Sequence, residues 1–152
     1  MTAPRRAALI TPEEFTELIH TNMHPGADFV MHTEELWWGG ARIRLSYSPT
    51  FLRPGGTLSG PTMFTLADTA LYAAVLSAIG MVPLAVTTDM TLHFLRRPSP
   101  VDLLAHAELL KVGGTLMMGE VRLTSAGSPD VVCHATGTYA RPPGASRAAT
   151  PQ

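Results

Sequence analysis

The stretch SGPTMFTLADTALYAAVLSAIG, residues 59–80, decides the fold. It opens on a helix start: Ser59 or Gly60 can stand at the N-cap, and Pro61 suits the first helical position, where a missing N–H costs nothing. Gly80 supplies the stop. About 20 residues at 1.5 Å rise give a helix of roughly 30 Å, enough to cross one domain. Met63, Leu66, Ala67, Ala70, Leu71, Ala74 and Ala78 form an apolar stripe. Phe64, Val75, Leu76 and Ile79 carry that stripe most of the way round. A helix so apolar is buried on several sides.

Asp68 breaks the pattern. Between Arg53 and Asp89 it is the only acidic or basic side chain, and no Lys or Arg stands three or four residues away to pair with it. Asp is a poor helix-interior residue, and an unpartnered buried charge is costly. Two readings follow. Either Thr65, Thr69 or Tyr72 satisfies the carboxylate and it ties helix to sheet, or it is a catalytic acid in a cleft. The helix entry favours chemistry. A glycine at position 60 lets a ligand approach the backbone. The unpaired N–H groups of the first turn and the positive end of the helix dipole would stabilise a developing oxyanion there. Asp68 lies about 12 Å by axial rise from Gly60, too far for one acyl carbon to touch both within one straight helix. A site with the carboxylate from one subunit and the oxyanion donor from another resolves the distance.

Upstream, Thr11-Pro12-Glu13-Glu14 is a second helix start, with Thr11 as cap and Glu14 three residues on. It predicts a helix from Glu13 to about Asn22, ended by Pro25-Gly26, with Phe15, Leu18 and Ile19 buried and the first ten residues a loose lead-in. Phe29 to Trp38 and Ala41 to Ser48 read as strands joined at Gly39-Gly40. Downstream, Leu84 to Leu95 alternates, with Val86, Thr88, Met90, Leu92 and Phe94 on its apolar face. Asp102 to Val112, Leu116 to Thr124 and Val131 to Ala140 complete an antiparallel meander of about four strands. Strands in runs around one apolar helix make an α+β protein. A sheet this small cannot surround the helix alone, so a second copy is expected to cover the open face and the sheet edge. One domain over residues 1–142 is expected, with a polar, disordered tail at 143–152.

Composition bounds the function classes. At 152 residues, 45% hydrophobic and 15% charged, the chain reads as globular. A formal net charge of −1, without a basic stripe, argues against nucleic acid and acidic membranes as partners. The single cysteine, Cys133, is expected buried and fits a reducing compartment. No signal peptide or membrane span is read, which makes the cytoplasm the default. His20 and His24 lack a third ligand, and His93, His106 and His134 fall singly in strands, so no metal is expected. Trp37-Trp38 is assigned to packing. Ser59 is not in a G-x-S-x-G elbow, and no Rossmann fingerprint or P-loop is present.

The segment Ser59 to Ala70, with its Leu66-Ala-Asp-Thr-Ala70, resembles the signature of the PaaI-like hotdog thioesterases, whose pattern runs His-Gly-Gly, about six residues, then Leu-Ala-Asp-Thr-Ala. Val86-Thr-Thr-Asp-Met-Thr-Leu-His-Phe-Leu-Arg-Arg-Pro98 is similar to the strand that follows that helix in the family, and the likeness extends over about Phe29 to Ala140. The resemblance implies the hotdog fold, a long central helix wrapped by a curved antiparallel sheet, paired as a homodimer or a dimer of dimers with sites at the subunit interface. It implies acyl-CoA thioester hydrolysis without cofactor or metal. Asp68 matches the catalytic acid that activates water or attacks the thioester. Gly60 matches the oxyanion-hole glycine, and Pro61 replaces a second glycine. Thr87 matches a water-placing hydroxyl residue contributed by the partner subunit. By alternation Thr87 shares a face with Asp89, Thr91 and His93, opposite the apolar one, unless the match slips to Thr88.

Two positions depart from the pattern. The family's histidine is Ser59, and its asparagine six residues earlier is Arg53. Arg53 is a candidate for a carboxylated acyl group or a CoA phosphate, and Arg96 and Arg97 are further phosphate candidates, or else these are solvated strand-end charges. The departures motivate an alternative, a non-catalytic acyl-CoA-binding hotdog domain. A hydratase ranks last, because no His lies next to the acid in sequence.

Overall fold

The computed structural model describes residues 3–23 and 25–145. The elements are α1 (Pro12–Asn22), β1 (Met31–Trp37), β2 (Gly40–Leu45), the two-residue strands β3 (Leu52–Arg53) and β4 (Thr57–Leu58), α2 (Gly60–Ile79), β5 (Val86–Phe94), β6 (Leu103–Val112), β7 (Leu116–Ser125) and β8 (Val131–Ala140). Six strands form one antiparallel sheet in the order β1-β2-β6-β7-β8-β5. The α+β architecture of a long helix held by one antiparallel sheet is as expected. His24 and residues 146–152 lie outside the described residues, and with them most of the expected tail and half of the His20–His24 pair.

Both helices start where their capping residues place them. Thr11 Oγ1 accepts from the Glu14 N–H at 3.1 Å, and the Glu14 carboxylate accepts from the Thr11 N–H at 2.8 Å, a complete capping box. On α2 the cap is Ser59, whose hydroxyl accepts from the Thr62 N–H at 3.4 Å, with Pro61 just inside. Gly80 ends the helix at φ 90°, a backbone region that glycine enters without a Cβ clash.

The sheet bends around Leu71. Gly119 and Gly137 pair across β7 and β8, and a Cβ on either would lie 2.8 Å from a methyl of Leu71. Without those side chains the strands close onto the helix. Fifteen of the 20 residues of α2 are buried. The helix also meets the composition of a membrane span, contrary to the expectation that no run approaches one. Its window of mean hydropathy 1.5 is 83% buried inside the fold, the mark of a core helix.

Four local expectations change. The first hairpin turns on Trp38-Gly39, because Trp37 pairs with Gly40 and Trp37 occupies the space a Cβ at position 40 would need. The meander is only β6-β7-β8: β5 crosses the molecule to pair with β8, so β5 and not β8 is the edge. The lead-in is docked. The Leu9 N–H donates to Ser77 O at 2.8 Å and the Trp38 N–H to Arg6 O at 2.9 Å, and Ile10 is buried. Arg5 and Arg6 stack over Trp37 and Trp38, at 4.0 and 4.7 Å to the ring centroids, so the tryptophans pack within their own chain. Finally, the sheet does not cover α2 alone. Helix α1 also reaches it, with Phe15 edge-on to Tyr72 at 5.7 Å. What stays open on the first half of α2 is the line Pro61, Phe64, Thr65 and Asp68, one helical face beside β5.

Candidate active site

Asp68 points from the open face of α2 toward the start of β5, and it is partly buried. The helix offers it no partner. Thr65 Oγ1 donates to Pro61 O, Thr69 Oγ1 to Thr65 O, and Tyr72 OH to Pro83 O, at 3.0, 2.8 and 2.8 Å. Its donors come from the sheet: Thr87 Oγ1 at 2.9 Å and Tyr139 OH at 2.7 Å, both to Oδ1. Among the described residues Oδ2 has no hydrogen-bond partner. The carboxylate is thus oriented by two donors on one oxygen, with the other oxygen left for a ligand.

Thr87 reaches Asp68 because β5 is irregular. Thr87 pairs with Tyr139 and Asp89 with Thr138, which leaves Thr88 unpaired as a bulge. Strict alternation puts Thr87 with Asp89, Thr91 and His93. The extra residue reverses the phase, and Thr87 shares the helix side with Met90 and Leu92. The expectation that a partner subunit supplies Thr87 fails for the same reason, since Thr87 of this chain already holds Asp68. The alternative assignment to Thr88 also fails, as its hydroxyl turns outward to Thr138 O.

Tyr139 is the site residue that the sequence reading missed. It is 3% exposed, and burial together with the neighbouring Asp68 charge holds its phenol far above the usual tyrosine range. A signal was present. Cys133, Ala135, Gly137 and Tyr139 share the inward phase of β8, and a tyrosine after three small residues marks where the sheet stops hugging the helix.

The carboxylate opens into a cleft of about 380 Å³ walled by Leu18 of α1 and Met23 just past its end, Tyr72 of α2, and Leu84 and Val86 before and on β5. The walls are mostly apolar. Arg53, Gly60, Arg96 and Arg97 occupy a different cleft, of about 400 Å³, at the other end of β5, with Phe94 between them. Among the described residues the Gly60 N–H has no acceptor, and a Cβ at Gly60 would lie 3.4 Å from Phe94. Ser59 is used in capping, its hydroxyl also 2.9 Å from that of Thr62. Arg96 donates to Val131 O at 2.8 Å, while Arg53 and Arg97 are exposed. The structure therefore brings Asp68 and Thr87 together and keeps the Gly60 group apart from them.

The remaining candidates are accounted for elsewhere. Cys133 is buried and unbridged, and burial pushes its thiol up to about 11. His134 contacts Glu120 at 2.9 Å and His106 contacts Glu108 at 3.1 Å on the outer face. Among the described residues no group of three His, Cys, Asp or Glu is placed to hold a metal.

Residues 55–132 match the family model of the thioesterase superfamily. A protein from a Silicibacter species described as a thioesterase is 39% identical, over 90% of this chain and 94% of that one, with a TM-score of 0.79. A point mutant of the phenylacetic acid degradation protein PaaI of Thermus thermophilus shares the fold at 23% identity, over 75% and 95% of the two chains, TM-score 0.67. So does a hypothetical thioesterase from Streptococcus pneumoniae solved with coenzyme A, at 21% identity over 86% and 95%, TM-score 0.71. No curated protein matches the chain.

Proposed function

Because the chain belongs to the thioesterase superfamily and has its hotdog fold, we propose that it hydrolyses acyl-CoA thioesters, with Asp68 as the general base and two copies of the chain completing each site. The observation that carries this reading is the Asp68 carboxylate, fixed through Oδ1 and free at Oδ2 beside an apolar cleft.

Water held on Oδ2 gives a proton to the carboxylate as its oxygen bonds to the thioester carbon. Thr87, having given its hydrogen to Oδ1, still has lone pairs to accept from that water. The carbonyl becomes a tetrahedral oxyanion. The Gly60 N–H at the positive end of α2 is an oriented donor for it, already paid for by the fold and worth most where water is excluded. Collapse expels the CoA thiolate, the proton on Asp68 neutralises the sulfur, and acid and free CoA leave. The reaction needs no metal or cofactor. The apolar walls at Leu18, Met23, Tyr72 and Leu84 suit the acyl group. Arg53, Arg96 and Arg97 suit CoA phosphates, and Ser59 holds the turn that aims the Gly60 N–H.

The two clefts lie at opposite ends of β5, so a single copy does not unite base and oxyanion donor. β5 is a sheet edge with Val86 56% and Phe94 54% exposed. Apolar edges of this kind invite pairing. Antiparallel pairing of two β5 strands centred between Met90 and Thr91 sets the Thr87 end of one copy against the Phe94 end of the other. Each Asp68 cleft then faces a Gly60 cleft, and the homodimer carries two composite sites; a dimer of dimers leaves them intact.

The test is release of free thiol from a panel of short, medium, long-chain and aromatic acyl-CoAs, wild type against Asp68→Asn. Turnover lost in the variant supports the reading. Tight acyl-CoA binding without turnover in either protein replaces it with a binding domain.

A further inference from the structure

Tyr139 enters the site from the sheet, and three elements fix its place before any substrate arrives. β8 carries it; its ring stacks on Tyr72 of α2 at 5.7 Å with 15° between the planes; and Tyr72 is itself held by Phe15 of α1 and by its bond to Pro83 O. The hydroxyl then stands 2.7 Å from Asp68 Oδ1 and 3.1 Å from the Asp68 carbonyl oxygen. A phenol has one hydrogen, and with both acceptors on one residue it grips the side chain and its backbone together. Thr87 could satisfy Oδ1 alone, so Tyr139 is not needed to avoid an orphaned atom.

We infer that Tyr139 is a positioning residue for Asp68: its hydroxyl locks Oδ1 so that Oδ2 faces the cleft. The role in turnover rests on the thioesterase reading; the contact does not. The groups facing Asp68 are few. Thr87 comes from β5, Tyr139 from β8 and Tyr72 from α2, while Leu18 and Asn22 of α1, Met23 just past it and the segment 83–86 carry no charge. Burial raises both phenols, so each keeps its hydrogen and stays a donor.

The experiment compares wild type with Tyr139→Phe, which deletes one oxygen and leaves the ring. At the pH optimum kcat is expected to fall about ten-fold with KM within two-fold, the split of an oriented base and not of a lost binding contact. The second measurement is a crystal structure of the variant, which needs no turnover. The Asp68 side chain is expected to leave the rotamer that turns Oδ2 to the cleft. An Asp68 side chain that keeps its place in the variant overturns the inference, even if the variant melts lower. Should wild type cleave no acyl-CoA, the functional reading falls, and the inference is decided by the Asp68 rotamer alone.

Discussion

The two ends of β5 are built on opposite plans. At the Thr87 end Asp68, Thr87 and Tyr139 close a hydrogen-bonded set on Oδ1 against apolar walls, and Oδ2 is left over. At the Phe94 end a helix terminus and three arginines face outward, and only Arg96 has a partner among the described residues. On the proposed reading one end is set for a proton transfer; the other presents positive charge and an unused N–H. The difference teaches that, on that reading, one fold holds two half-sites whose chemistry is complementary and whose geometry is separate. Neither half explains a thioesterase by itself.

That contrast can be broken first at Asp68. Asp68→Asn keeps the shape and removes the base, and kcat is expected to fall about 10³-fold with the melting temperature nearly unchanged, read by thiol release and thermal denaturation. An activity that survives would end the assignment. The separation of the halves is tested next by co-expression. Asp68→Asn and Gly60→Val, the latter placing a branched side chain between the N–H and Phe94, are each expected to be inactive. Mixed dimers contain one intact composite site, so random pairing restores about one-quarter of wild-type activity. Failure to complement places both halves in one subunit. Charge at the Phe94 end is a smaller effect. Arg53→Ala is expected to raise KM for acyl-CoA about five-fold at low salt, with kcat kept, and the gap is expected to narrow as ionic strength rises.

Smallest is the outer face, far from both clefts. The hydrogen bond from His134, with the Arg122 charge beside it, holds the Glu120 carboxyl below its ordinary range. A lowered folded value contributes stability above the unfolded pKa, and that contribution disappears as the pH falls through the folded value. Glu120→Gln is therefore expected to cost about 0.5 kcal/mol near pH 7 and nothing in strong acid, measured by denaturant melts. A cost that persists in acid would point to packing instead.

Local rules were written plainly in the chain. Thr11 with Glu14, Ser59 with Pro61, and Gly80 set both helices to within a residue, because caps act on the backbone within one turn. Alternation placed β6, β7 and β8, and the isolation of Asp68 on an apolar helix made it stand out. What the sequence could not disclose lies across long separations or depends on a single inserted residue. Tyr139 meets Asp68 from 71 positions away. The Thr88 bulge, one extra residue in an otherwise regular strand, turned Thr87 from the outer face to the inner one. β5 chose β8 over its neighbour in sequence, and the lead-in found Ser77.

The sequence by itself determined the two helices, most of the strands and the isolation of one acid, Asp68, on the central helix, since each is a contest among groups within a few residues of one another. The tertiary structure alone decided which side chains hold that acid and where the glycine lies relative to it. Those contacts depend on how a pleated sheet curves and slips in register over a rigid rod, and no local pattern records that.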